Sequence, residues 1–250
     1  MHLLRCQPNE SPWTDLHPGA AWLETVKEGH ELALACHPLF TSGLGLTLAH
    51  ICPDILHILD LGACQHLVAG FLSMLVWQAG FVGTLEERIR YLWHELSNSY
   101  EALRTPSGER VPQRKVWNLF ARSRTANPTA YPVLGSKGAQ GRHAVGAVLH
   151  LCKRLVAHLS AFDHVIEALE GLHDFYVVVL PARMYLPPDD ITRAQDGMHR
   201  FLVHYQHLCY TNMVAGRMLF FVDRKMTSLP LASCLGVWLL QPPLWMDICR

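Results

Sequence analysis

The sequence predicts a mainly α protein, an irregular multi-helix bundle, from three of its features. Apolar residues recur three and four apart over several long windows, the period of a helix with one face turned inward. Proline and glycine gather between those windows, where they break helices. A β-branched run stands at Tyr176–Leu180, but five residues are too few for periodicity to separate strand from helix. With Arg217–Val222 it leaves room for one or two short strands.

Residues 1–50 read as an irregular lead-in with one helix. Pro8, Pro12, Pro18 and Gly19 break its start, Ala20–Ala35 spaces Trp22, Leu23, Val26, Leu32 and Leu34 helically, and Pro38, Ser42, Gly43 and Gly45 mark a loop. A helical core is expected over 51–227. Pro53 opens its central helix in the first turn, which proline favours, with Asp54 near the positive end of the helix dipole. Leu56, Leu59, Ala63, Leu67 and Gly70 then make one apolar stripe. Gly62 and Gly70 lower helix propensity and imply close approach of a neighbouring element.

Gly80–Gly83 ends that helix. Thr84 with Glu87 is a capping box, and Ile89, Leu92, Trp93, Leu96, Tyr100 and Leu103 follow on one face. A turn-rich connector at Thr105–Pro112 precedes a short helix at Lys115–Arg122, and Asn127–Lys137 reads as a loop. Ser136–Ser160 is expected as one long helix and Asp163–Leu180 as the next. Pro187, Pro188, Asp189 and Asp190 start a further helix that runs to about Gly216. Residues 228–250 turn apolar and proline-broken without a period, an atypical tail that need not be ordered.

Half of the residues are hydrophobic and 17% are charged, enough to bury a sizeable core. The formal charge of zero hides an asymmetry. Residues 1–103 hold 11 acids and 4 bases, residues 104–154 hold 10 bases and one acid, and residues 155–250 hold 7 bases and 9 acids. A basic block between acidic flanks either meets phosphates or docks on its own flanks, and the second outcome is the commoner.

The eight cysteines form no Cys-x-x-Cys pair, so neither a disulfide framework nor a zinc ribbon is indicated, and buried thiols in a reducing compartment are expected. The first residues, MHLLRCQPNE, hold no apolar core of a signal peptide. Leu61–Gly83 is apolar but carries Gln65, His66 and Gln78, which fits a buried core helix better than a membrane span. An intracellular protein of nucleus or cytoplasm, without membrane contact, is the expectation.

The segment PDILHILDLGACQHLVAG (Pro53–Gly70) carries a resemblance. Its Asp54-x-x-His57 pair, on a helix followed by an apolar stretch with glycine, resembles the D-x-x-H element of cut-and-paste transposases of the CACTA type. In that family the element lies in a helical insertion of an RNase H-like core. The stretches Cys6–Trp22, Tyr131–Val145 and Phe201–Phe220 look like transposase-derived proteins of transposon-rich protist genomes. The resemblance spans roughly residues 6–226 and implies a transposable-element origin. It departs in two ways. The catalytic carboxylates expected upstream, which hold two metal ions, have no counterpart, and Lys225-Met226-Thr227 breaks the late Lys-x-His. A fragment or decayed copy is what these departures imply.

Asp54 and His57 at i and i+3 share a helix face, either as a functional polar pair or as an N-terminal cap with a satisfied histidine. Among the sixteen histidines, His199, His204 and His207 with Cys209 nearby form a loose metal-like set. Zinc favours i, i+4 spacing or a cysteine pair, so histidine as partly polar filler is the simpler reading; the same holds for His143 with His150, and for His66. Gly135-Ser136-Lys137-Gly138 lacks the spacing of a phosphate loop, although a helix start can hold an anion. Candidate nucleic-acid contacts are Arg114, Lys115, Trp117, Arg122, Arg124, Lys137 and Arg142, where basic and aromatic residues interleave. No catalytic set, metal site or cofactor is indicated. The expected function is a non-catalytic helical domain of transposase-like origin that binds nucleic acid through residues 104–154. The alternatives are a helical interaction scaffold, a decayed gene product without selected function, and a remnant metal-dependent transposase or nuclease.

Overall fold

The computed structural model describes residues 56–120, 131–181, 186–217 and 219–220. The expected lead-in over 1–50 and the tail over 228–250 lie outside them. Among the described residues 77% are helical and none is in a strand, so the protein is mainly α.

The central helix begins with a π-wound segment, Leu56–Ala63, and continues without a break as α1, Cys64–Gln78. The π winding was not anticipated; a wider turn of this kind re-aims the side chains that follow it. Every residue of α1 from Leu67 to Val76 is buried, as are Leu59, Ala63 and Cys64. The expected stripe is therefore real, but the burial goes all the way round, as in a helix enclosed by others. Leu59–Gln78 is long and apolar enough to cross a membrane, and most of its surface is already covered by protein. Gly70 meets the close approach predicted for it: a methyl group there would stand 2.6 Å from the Leu219 carbonyl oxygen and from the Phe220 ring.

α2 spans Leu85–Ala102 and starts with the predicted capping box. Thr84 Oγ1 accepts from the Glu87 N–H at 3.3 Å, and the Thr84 N–H donates to Glu87 Oε2 at 2.7 Å. Both bonds satisfy N–H groups that a helix start leaves open. The connector holds a 3₁₀ turn, Ser107–Glu109, and the next short helix, α3, is Gln113–Leu119, two residues earlier than expected. The expected single helix over Ser136–Ser160 is shorter: α4 is Gly138–Leu155, followed by a 3₁₀ turn at Ser160–Phe162. Phe162 folds inward there, its ring edge-on to Phe71 of α1 at 6.0 Å.

α5 is Asp163–Val179, which takes in most of the β-branched run at Tyr176–Leu180 as helix. α6 is Pro188–Val214, with proline in its first turn and Asp189 and Asp190 beside it, as the sequence indicates. Arg217 and residues 219–220 form no further regular element.

α1 is packed by α2 and α4, α4 by α5, and α5 makes the most extensive contact of all with α6. Two glycines set that last crossing. A methyl group on Gly171 would lie 2.5 Å from the Gly197 carbonyl oxygen, and one on Gly197 would lie 2.8 Å from the Gly171 carbonyl oxygen. The backbones thus touch where no side chain intervenes. Because the blocking atoms are backbone, Gly171→Ala should force the helices apart and cost about 1–3 kcal/mol in urea unfolding, in the range of overpacked cores. Gly108→Ala, with open space at that position, should change stability by no more than about 0.5 kcal/mol.

Candidate functional site

Four of the eight described bases in the basic segment are answered by the protein's own acids. Arg154 is paired with Glu95 of α2 through a hydrogen bond, and Lys153 lies 2.6 Å from Glu170 of α5. Arg110 donates to the Thr105 carbonyl at 2.8 Å and lies 3.9 Å from Glu101. His143 meets Glu109 at 2.7 Å, and Arg142 turns toward the buried Asp60. Arg122 and Arg124 lie outside the described residues. Arg104, Arg114, Lys115 and Lys137 are left with no acidic partner among the described residues. Arg114 and Lys137 are exposed and Lys115 is half-buried.

Lys115 of α3 reaches the loop that leads to Lys137, and Arg114 precedes Lys115 in the same helix. The space beside Gly135 is within 3.7 Å of Lys115 Nζ, so α3 stands against the loop that leads into α4. Gly135 takes the left-handed backbone conformation, φ +61, that lets this loop turn into the helix. Gln65 of α1 ties it down, accepting from the Gly135 N–H at 3.0 Å and donating to the Ser136 carbonyl at 2.8 Å. At the helix start the Lys137 N–H donates to Gln140 Oε1 at 3.1 Å. Trp117, a stacking candidate by sequence, is half-buried and packs against the core.

Of the predicted polar pair, Asp54 lies outside the described residues, and His57 is exposed at the start of the π-wound segment. The carboxylate that the central helix buries is Asp60, only 3% exposed. Tyr176 of α5 donates to Asp60 Oδ1 at 2.5 Å, and Cys64 Sγ lies 3.1 Å from the same hydroxyl. Since the tyrosine proton goes to the carboxylate, the Cys64 thiol donates to the phenol oxygen. Arg142 of α4 closes the set from the other side, 3.9 Å from Asp60 Oδ2. Gly141 lets α4 come this close: a methyl group there would stand 2.7 Å from the Asp60 carbonyl oxygen. Ser136 Oγ and Arg142 Nε, near this junction, are buried without a hydrogen-bond partner.

Composition alone did not single out Asp60. The signal was available, since Asp60 is a carboxylate between Leu59 and Leu61 inside an apolar run, but which partner would answer it depends on helices more than eighty residues away.

The chemistry of this network is inert. Burial pushes the Cys64 thiol up to about 12, although the Tyr176 hydrogen bond opposes it. Burial, with the neighbouring Cys64 and Asp60, drives the Tyr176 hydroxyl far above its usual value. Neither group supplies a nucleophile near neutral pH. Among the described residues no three of His, Cys, Asp and Glu are grouped to hold a metal ion.

The loose histidine set divides. His204 and His207 of α6 meet His164 of α5, and the His164 and His207 rings stack at 3.7 Å. His150 faces Ser99 Oγ at 3.2 Å and His66 faces the Pro132 carbonyl at 3.3 Å, so both sit in ordinary packing roles.

No family model, curated protein or solved structure matches this chain.

Two outcomes test the buried network. Tyr176→Phe should lower stability by about 1–3 kcal/mol in denaturant unfolding, because Asp60 loses a buried donor. Cys64, fully buried, and Cys152 and Cys209, whose thiols burial likewise pushes up, should resist thiol reagents in the native protein. All three should label only as the protein unfolds, followed by mass spectrometry of the modified peptides.

Proposed function

We propose that this chain is a non-catalytic helical module, of transposase-like origin as the Pro53–Gly70 resemblance implies, that binds nucleic acid through phosphate contacts. Arg114, Lys115 and Lys137 are where we place those contacts. One observation supports the placement: after the protein's own acids have answered the other described basic groups of α4, these three side chains keep no acidic partner among the described residues. They stand beside the start of α4, whose first N–H groups add positive character. The interface is narrower than the full 104–154 block, and with Trp117 packed against the core it relies on charge more than on base stacking. Binding of this kind is weakly sequence-dependent.

The catalytic-remnant reading finds less support, because Asp60 is matched by Tyr176 and Arg142 and is joined by no second carboxylate in a metal-holding group among the described residues. The scaffold reading has one observation in its favour. Trp77, Val82 and Tyr91 are exposed around the turn between α1 and α2, with Phe81 edge-on to Tyr91 at 5.2 Å.

Fluorescence anisotropy with a labelled single-stranded oligonucleotide checks the proposal. Log affinity should fall against log salt with a slope of roughly −2, as expected for three cations on a single strand. The triple substitution Arg114→Ala, Lys115→Ala, Lys137→Ala should weaken binding at low salt by roughly tenfold or more. Absence of binding at low salt, or binding that the triple variant leaves intact, overturns it.

A further inference from the structure

The α5–α6 pair is antiparallel: Gly171 lies on Gly197 and Phe201, and seven residues earlier His164 lies on His204 and His207. At the glycine crossing the backbones touch. At the other end the contact is made by three imidazoles. His164 Nδ1 and His204 Nδ1 are 2.8 Å apart, with their ring centroids at 5.1 Å. The His207 ring lies over His164 at 3.7 Å and 24°.

Two ring nitrogens at hydrogen-bonding distance can share only one proton. One ring donates through Nδ1, and the other accepts there while carrying its own proton on Nε2. A first added proton leaves that bond intact. A second leaves two N–H groups pointing at each other, with two positive rings in contact and a third stacked on one of them. Stacked rings do not converge their lone pairs on one point, and these residues are not among any group of described residues placed to hold a metal ion.

We infer that this histidine cluster is an acid-sensitive latch, which holds the C-terminal half of α6 on α5 near neutral pH and releases it on double protonation. The surroundings are mixed. Asp163 and Glu167 of α5 favour the charged rings, and Arg200 of α6 opposes protonation of His204. Arg200 is itself spread over Glu167 at 3.7 Å, Glu170 at 3.6 Å and Asp174 at 2.8 Å. Lys153 is the charged group α4 brings to this seam, and it is taken by Glu170. Burial is the largest influence on all three rings and lowers the pKa of each.

The sign follows from that direction. Folded pKa values below the unfolded one mean that the unfolded or opened state binds more protons as pH falls through about 6.5. The latch is therefore fully closed above that value and loses stability below it.

Amide hydrogen exchange on the intact protein tests the latch. Between about pH 7.5 and about pH 5, protection factors corrected for intrinsic exchange should drop several-fold for 202–214. Amides of α1 should keep theirs. In His164→Asn, which keeps a neutral hydrogen-bonding side chain, the selective drop should vanish. Nitrogen-detected NMR of the unaltered protein gives a reading independent of that variant's folding. One ring of the His164–His204 pair should be the Nδ1–H tautomer near neutral pH, and the pair should titrate in two separated steps. A drop shared equally by α1, a drop retained in His164→Asn, or both rings titrating together at an ordinary value overturns the inference.

Discussion

A carboxylate placed on the enclosed face of an apolar helix is tolerated only if donors reach it, because an unpaired buried charge costs several kcal/mol. Asp60 is in that position, and two other helices answer it. Tyr176 comes from α5 and Arg142 from α4, while Cys64, one turn further along the central helix, bonds to the Tyr176 hydroxyl. Satisfying one side chain thus fixes the distance and rotation of α4 and α5 against α1. Apolar packing alone would accept several such arrangements. Gly141 serves the same end, since any side chain there would strike the Asp60 backbone. The π winding just before α1 belongs to this junction, because it sets the direction in which Asp60 leaves the helix.

The second seam works differently. α5 and α6 meet backbone to backbone at Gly171 and Gly197, which is rigid, and side chain to side chain at the histidines, which depends on protonation. Between the two, Arg200 gathers three acids of α5. These ion pairs are partly exposed and are worth little individually in stability. Their consequence is a matter of register, since one arginine reaches three carboxylates only if the helices do not slide. A rigid crossing beside a titratable contact confines any opening to one end of α6.

Charge pairing also reshapes the functional question. A block of ten bases in the sequence suggests a broad positive face, yet α2 and α5 bring Glu95 and Glu170 to Arg154 and Lys153, and Asp60 draws Arg142 inward. Among the described residues the bases left without an acidic partner are Arg104, Arg114, Lys115 and Lys137, and the phosphate contacts we propose fall on the last three. Cys64 and Tyr176, two of the described groups able to do covalent chemistry, are buried and held in their protonated forms.

Local features were legible where neighbours in the chain decide the outcome. Thr84 and Glu87 announced the capping box because both partners lie within one turn, and Pro188 with Asp189 and Asp190 announced α6 because a helix start is a local balance of open N–H groups and dipole. The apolar stripe from Leu59 to Gly70 announced a core helix, and Gly70 a close neighbour. Tyr176–Leu180 and the end of α4 were not legible, because residue preference at these positions is weaker than packing against α1 and α6. The same boundary runs through the site. The sequence by itself determined that the chain is helical, where most helices begin, and how charge is distributed along it. Only the tertiary structure decided which bases are neutralised, that Asp60 is the buried carboxylate, and that His164 meets His204 and His207. Those outcomes depend on contacts between residues far apart in the chain, whose energies exist only once the helices have been brought together.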